Sequence, residues 1–383
     1  MPVAEKGPPG ATHGDLIDFL EQRIPLFLSE EWDNCGLQAG SRKTPLAGVA
    51  CALEPTLETL AEAAGRGANF IFTHHPLLFR PLPCFDFDAF PGSLLVQAAT
   101  RRVTIYSAHT NLDKVSGGVN DDLARRLGLS VCRPLEPVRR KLYKLVTFVP
   151  PEALGAVEEA LFAAGAGHLG EGRYRECAFR TPGTGSFFPE AGSRPQKGSV
   201  GRRNLVDEIR FETVCEKNVV GRVVAALHQA HPYEVPAYDL IPLELEDEKQ
   251  GLGRVGELDR EVTMEAFVDL VRERLGVSGL RLIGGRPQAK VKRVALCGGS
   301  GFSFYRAAVA AGADLYLTGD LKYHEAREVI DNRGIPVLDA GHFATERPVV
   351  EVCAELCRSF VEKVGLKLPV FTIDDEREPW ELL

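Results

Sequence analysis

The sequence predicts an α/β protein: two similar α/β lobes with mostly parallel sheets, interrupted by a ferredoxin-like α+β insert. Three observations predict it. First, the chain repeats itself. Val49-Ala50-Cys51-Ala52-Leu53 followed by Gly67-Ala68-Asn69-Phe70-Ile71-Phe72-Thr73 returns as Val294-Ala295-Leu296-Cys297-Gly298 followed by Gly312-Ala313-Asp314-Leu315-Tyr316-Leu317-Thr318. The offset is a constant 245 positions, Val49 to Val294 and Gly67 to Gly312. Second, short continuous apolar runs alternate with helix-patterned segments, which is how strands covered on both faces of a parallel sheet read. Third, the texture changes between 139 and 245, where strand and helix patterns follow the order β-α-β-β-α-β. The expected organisation is lobe 1 over 1–138, the insert over 139–245 and lobe 2 over 246–383, with the insert set into the connection between the duplicated halves.

In chain order, Thr12 and Asp15 form a capping box before Leu16, Ile17, Phe19, Leu20 and Ile24, and Pro25 ends that helix. A turn-rich segment, Trp32 to Leu37, precedes the first repeat. Leu57 to Ala64 supplies a crossover helix and Phe70 to Phe72 a buried strand. Leu94 to Ala99 is helical and Val103 to Tyr106 is a third strand. In the insert, Leu142 to Val149 reads as a strand and Glu152 to Ala164 as a helix. A strand near Arg175 to Arg180 leads into a Gly/Pro/Ser-rich loop reaching Arg203. Val206 to Val214 is a strand, Val219 to Gln229 a helix and Val235 to Leu243 a strand. In lobe 2, Thr263 caps a helix through Leu275 that Gly276 terminates. Val294 to Leu296 and Leu315 to Leu317 are strands around a helix near Ala307 to Ala311. Ile335 to Leu338 leads into a turn at Gly341-His342, and Val349 to Val361 closes the lobe as a helix.

Bulk properties exclude several classes. The 383 residues suffice for two or three domains, and 44% hydrophobic with 26% charged residues is an ordinary globular composition. A net charge of −8 and a pI near 5.7 argue against a nucleic-acid or membrane-surface binder. Basic clusters at Arg139-Arg140-Lys141 and from Arg194 to Arg203 read as solvated loops. No apolar run reaches the roughly 18 residues of a membrane span, and the first residues lack the apolar core of a signal peptide. Nine cysteines, without a CxxC pair, indicate neither a disulfide framework nor a cysteine metal site. Cys353 and Cys357 share a helical face and read as packing. A cytoplasmic protein is expected.

The chemistry concentrates at strand ends. His74 and His75 follow one predicted strand. His109 and Asp113 follow another, in Ser107-Ala108-His109-Thr110-Asn111-Leu112-Asp113. His342 and Glu346 stand at the matching point of lobe 2. Carboxyl ends of parallel strands are where open α/β sheets place ligands. Two His-x-x-x-acid turns at equivalent points of a repeat are not required by core packing. Mixed imidazole and carboxylate donors suit zinc, manganese, iron or nickel, and six donors exceed the needs of one tetrahedral ion, so two divalent ions per chain are expected. Asp113 and Glu346 take the bridging roles, since a carboxylate bridges two cations and a monodentate imidazole does not. His324 reads either as a crevice residue or as an exposed helical one. The turn Gly298-Gly299-Ser300-Gly301 reads either as an anion-binding nest or as a tight turn. His13, His168, His228 and His231 receive no metal role. Phosphate-loop and nucleophile-elbow motifs are lacking.

These residues resemble the Ngg-interacting-factor-like family, also called the dinuclear metal centre or GTP cyclohydrolase I type 2 family. The matching pieces are Trp32-Asp-Asn-x-Gly-Leu37, Thr73-His-His-Pro76, Ser107-x-His-Thr-x-x-Asp113, Thr318-Gly-Asp320 with His324, and Gly341-His-x-x-Thr-Glu346. The resemblance implies a two-metal site at His74, His75, Asp113, His342 and Glu346, with His109 lining it as a proton carrier. Repeat symmetry alone would instead pair His109 with His342. The middle segment, including His228-Gln-Ala-His-Pro-Tyr-Glu-Val-Pro-Ala-Tyr238, is similar to the PII-like insert of the longer members. The resemblance further implies a homohexamer and a small-molecule substrate, a nucleotide among the candidates. Two functions follow as expectations. One is a metal-dependent hydrolase opening the guanine ring of GTP. The other is a non-catalytic regulatory or scaffold oligomer whose insert senses a metabolite or ion.

Overall fold

The computed structural model describes residues 10–169 and 173–380, and in the basic cluster at Arg139 the side chains of Arg140 and Lys141 lie outside the description, as does the segment 1–9. The chain forms two compact units, Met1–Val138 with Glu248–Leu383, and Arg139–Asp247.

In the first unit α1 (His13–Arg23) begins at Thr12, whose hydroxyl accepts from the Asp15 amide while the Asp15 carboxylate accepts from Thr12, the reciprocal box its sequence announces. A short 3₁₀ turn, Leu26–Leu28, follows Pro25. The strands β1 (Gly36–Ala39), β2 (Val49–Ala52), β3 (Phe70–Thr73) and β4 (Thr104–Ser107) are linked by α2 (Leu57–Gly65) and α3 (Gly92–Arg101). Then come α4 (Thr110–Lys114) and α5 (Val119–Arg126), and β5 (Leu129–Val149) carries the chain onward.

The second unit contains the later part of β5, α6 (Leu154–Ala163), β6 (Ala178–Phe187), β7 (Asn204–Glu216), α7 (Val220–Ala230) and the start of β8 (Tyr238–Thr263). The order is β-α-β-β-α-β. β7 pairs antiparallel with both β5 and β6. Leu145, Val149, Phe211 and Cys215 of the strands pack on Val157, Leu161, Val223 and Leu227 of the two helices. β6 runs on through Thr181-Pro182-Gly183-Thr184-Gly185, a stretch whose proline and glycines read as loop. Pro182 is tolerated because β6 has a ladder partner on one side only.

Back in the first unit, β8 is followed by α8 (Met264–Leu275), β9 (Arg281–Ile283), β10 (Lys290–Leu296), α9 (Tyr305–Ala310), β11 (Leu315–Thr318), α10 (Tyr323–Asp331), β12 (Val337–Asp339), α11 (His342–Glu346), α12 (Val349–Lys363) and β13 (Val370–Thr372). Thr263 caps α8 and left-handed Gly276 ends it, as expected.

The repeat is visible in the sheets. One runs β1-β4-β3-β2-β13, the other contains β8-β10-β11-β12-β9. Each has a parallel core, β4-β3-β2 and β12-β11-β10. Each also has an antiparallel flank: β1 on β4, and β8 and β9 on β10 and β12. The sequence reading gave the start of β8, within Val235 to Leu243, but not its continuation along β10, which follows a charged stretch, and it passed over β1 and β9, which are short. In the first sheet Val49, Cys51, Phe70 and Phe72 face α1 and α12, whereas Ala50, Ile71 and Ile105 face α2 and α3. In the second, Val294, Leu296, Leu315 and Leu317 face α5 and α8, while Ala295, Tyr316 and Val337 face α9 and α10. Burial on both faces explains the unbroken apolar runs.

Candidate metal centre

All four histidines of the site stand immediately beyond parallel strands. β3 ends at Thr73, and the amides of His74 and His75 donate to Ala52 and Leu53, extending the ladder by two residues. Thr73 locks this exit, its hydroxyl donating to the His75 carbonyl and bonding Ser107. β4 ends at Ser107, and His109 caps the short α4 that carries Asp113. β12 ends at Asp339, and Gly341, with φ +85°, turns the chain into α11, whose one turn puts His342 and Glu346 on the same face.

The imidazoles are oriented alike. The Nδ1 of His75 lies 2.6 Å from Glu54 Oε1, that of His109 2.9 Å from Asp33 Oδ1, and that of His342 2.7 Å from Asp320 Oδ2. The Nδ1 of buried His74 lies 2.9 Å from the Ala108 carbonyl. An acceptor on Nδ1 fixes the proton there and leaves the Nε2 lone pair for the centre, the arrangement metal-binding histidines adopt. The orienting carboxylates were missed as such by sequence reasoning. Asp33 and Asp320 stood in quoted motifs without a role, and Glu54 carried no signal.

The inward atoms form two groups around one carboxylate. His74, Asp113 and Glu346 make the first, and His75, His342 and Glu346 the second. Glu346, almost wholly buried, turns Oε1 toward His74 Nε2 at 3.8 Å and Oε2 toward His75 Nε2 and His342 Nε2, each at 2.9 Å. Asp113 Oδ1 lies 3.8 Å from His74 Nε2 and belongs to the first group alone. Glu346 is thus the carboxylate common to the first two groups, whereas Asp113 serves one. His109 forms a third group with His74 and His75.

The electrostatics of the site suit a cation. Burial opposes charge on His75, but Glu346 and Glu54 outweigh it and hold the imidazole up at about 10. Burial likewise opposes His342, which Glu346 and Asp320 raise to about 9. Against its own burial, Glu346 is held well below the carboxylate range by His342, His74 and His75. Asp113 is pushed up, chiefly by burial, with too little relief from His74. His74 Nε2 and Asp113 Oδ1 are buried without any hydrogen-bond partner. Orphaned inward lone pairs are costly unless something positive sits between them. A nitrogen–oxygen donor set with unpartnered, inward-facing atoms fits divalent cations.

The glycine turn after β10 lies beside this centre. Three of its four amides are already engaged: Gly298 donates to Asn120 Oδ1, Gly299 to Thr345 Oγ1 and Gly301 to Thr318 Oγ1. The tight-turn reading holds and the anion nest is set aside. Gly299, with φ +63°, is needed because a Cβ there would lie 2.1 Å from Glu346 Oε1. His324 is exposed at the start of α10 beside Tyr323 and joins no group. Trp32 and Phe79 are largely exposed, with ring centroids 6.2 and 6.0 Å from His109.

Fold and site together define a two-lobed α/β protein whose halves supply one candidate metal centre. The chain belongs to the Duf34/NIF3 (NGG1p interacting factor 3) family, whose model matches residues 11–379. It is 40% identical over 328 residues to the "GTP cyclohydrolase 1 type 2 homolog" of Halalkalibacterium halodurans, covering 85% of this chain and 87% of that protein. To the protein of the same description from Bacillus subtilis it is 38% identical over 369 residues, covering 96% and 98%. The crystal structure of a Bacillus cereus protein related to NIF3 superposes with a TM-score of 0.75 at 35% identity, covering 99% of this chain and all of that one.

Proposed function

We propose that this chain is a dinuclear-metal-dependent hydrolase, with ring opening of GTP as the reaction its relatives' description suggests. The observation that carries the reading is Glu346, whose two oxygens face two separate donor groups. His74 and Asp113 would hold one divalent ion, His75 and His342 the other, and Glu346 both. The candidates are zinc, manganese, iron and nickel. Such ions supply Lewis acidity and lower the pKa of water toward about 7.

The chain's own residues complete the chemistry. Asp33, held well below the carboxylate range against its burial by His109 and Thr110, fixes the His109 ring, leaving Nε2 free to accept and return a proton. Trp32 and Phe79 offer apolar faces beside His109 for a planar base, which favours a nucleotide among small-molecule substrates. A cytoplasmic homohexamer is part of this reading. Among the described residues no helix is long and apolar enough to cross a membrane.

Formate release from GTP by metal-loaded protein is the direct test. His109→Gln is expected to keep both ions and lose about 10²–10⁴-fold in kcat. No release at any metal loading would sink the reaction.

One observation favours a second reading, a regulatory or scaffold oligomer whose PII-like insert senses a metabolite. The unit Arg139–Asp247 contains a cavity of about 650 Å³ lined by residues that include Phe148, Arg210, Tyr233 and Val235, large enough for a small molecule. Intact ion binding without turnover would support it.

A further inference from the structure

We propose that Glu376, in the segment after β13, is a positioning residue of the metal centre that acts on His75 through Glu54. The inference rests on the metal-centre reading above and adds to it a residue outside both donor groups.

The turn after β2 presents two backbone amides, Leu53 and Glu54. Both donate to the Glu376 carboxylate, Leu53 at 2.8 and 2.9 Å to its two oxygens and Glu54 at 2.8 Å. The carboxylate is almost buried, and Arg347 Nε stands 3.3 Å from it. Charge-assisted bonds of this kind are the strong ones, and this one spans 323 positions of chain. What it fixes is the backbone of the residue whose side chain reaches His75 Nδ1 at 2.6 Å.

The repeat shows that this turn needs an outside acceptor. The residues 245 positions later are Gly298 and Gly299, and their amides are taken by Asn120 and Thr345. In lobe 2 the glycine makes room for Glu346. In lobe 1 the same position is Glu54, whose side chain serves His75. Its turn is held by a carboxylate from the far end of the chain. A glutamate near the end of the sequence thus orients a histidine beyond β3 by way of one turn and one carboxylate.

The test is a double-mutant cycle read by zinc affinity, measured by chelator competition on the full chain. Changes in the partners of a metal-binding imidazole typically cost about 10–100-fold in affinity. Glu376→Ala, one step further out, is expected to lose about tenfold, and Glu376→Gln, which keeps one acceptor oxygen, less. In a Glu54→Ala background Glu376→Ala should cost nothing further. The visible spectrum of the cobalt-loaded protein should shift with Glu376→Ala and Glu54→Ala alike. Wild-type protein that binds zinc while Glu376→Ala binds it equally well overturns the inference and leaves the metal centre standing. Losses that multiply across the cycle also overturn it. Wild-type protein that binds no zinc overturns both.

Discussion

Ion binding at His75 and His342 should expel protons, and the number follows from the site. A cation takes a neutral imidazole, yet without one Glu346, Glu54 and Asp320 hold these rings protonated, up to about 10 for His75 and about 9 for His342. At about pH 7 the rings sit roughly three and two pH units below those midpoints, so removing both protons costs on the order of 7 kcal/mol. Their Nε2 atoms are 3.4 Å apart and share one Glu346 oxygen, so the protons leave as a coupled pair. Zinc affinity for this half should therefore rise by up to about a hundredfold per pH unit near neutrality and level off above about pH 10. The assay is calorimetric titration of chelator-stripped protein in two buffers of equal pH and different ionisation enthalpy. Release of fewer than about half a proton per ion, or flat affinity between about pH 6 and 8, would refute the reasoning. The stripped protein should show the opposite dependence. An imidazole raised above its unfolded value of 6.5 stabilises the fold below that value, and the gain fades as pH climbs through about 9 and about 10. Its melting temperature should fall over that window.

Three further changes test other parts of the account. Gly299→Ala would force a methyl group onto Glu346 Oε1 at positive φ, so metal content measured by atomic emission should drop while the far-ultraviolet circular dichroism stays unchanged. Asp121→Ala would strip the carboxylate from Arg254, which is fully buried and otherwise donates to the carbonyls of Lys249, Gly251 and Gly253. Urea unfolding should show a loss of about 3–5 kcal/mol. Trp32→Ala should raise the KM for GTP several-fold with little change in metal content, since the indole ring meets His109 and none of the five residues that would hold the two ions; an unchanged KM would remove the stacking face.

Much of the fold was legible because burial on two faces leaves a simple mark. Phe70-Ile71-Phe72 and Leu315-Tyr316-Leu317 are apolar without interruption, and the fixed spacing between them exposes the duplication. The caps at Thr12, Thr263 and Gly276 were legible because each satisfies a local backbone need. What stayed hidden was non-local or contrary to propensity. β8 runs through Glu244 to Lys249, a charged stretch that resembles a loop, and β6 contains Pro182, Gly183 and Gly185, which an edge strand tolerates. At the site, the histidines and acids announced themselves by spacing. That Glu346 belongs to two donor groups and Asp113 to one did not, because it depends on which way a buried carboxylate turns. Glu54 and Glu376 were silent because the backbone bond joining them links residues 322 positions apart.

Glu346 reaches His75 across 271 positions of sequence. An ion caught between them is a cross-link tying the first third of the polypeptide to its last tenth, and its strength depends on supply. Free metal at a thousandfold over its dissociation constant would add about 4 kcal/mol against unfolding. Resistance to proteolysis in the cell would then track metal availability, and starvation for the ion would leave the polypeptide easier to clear.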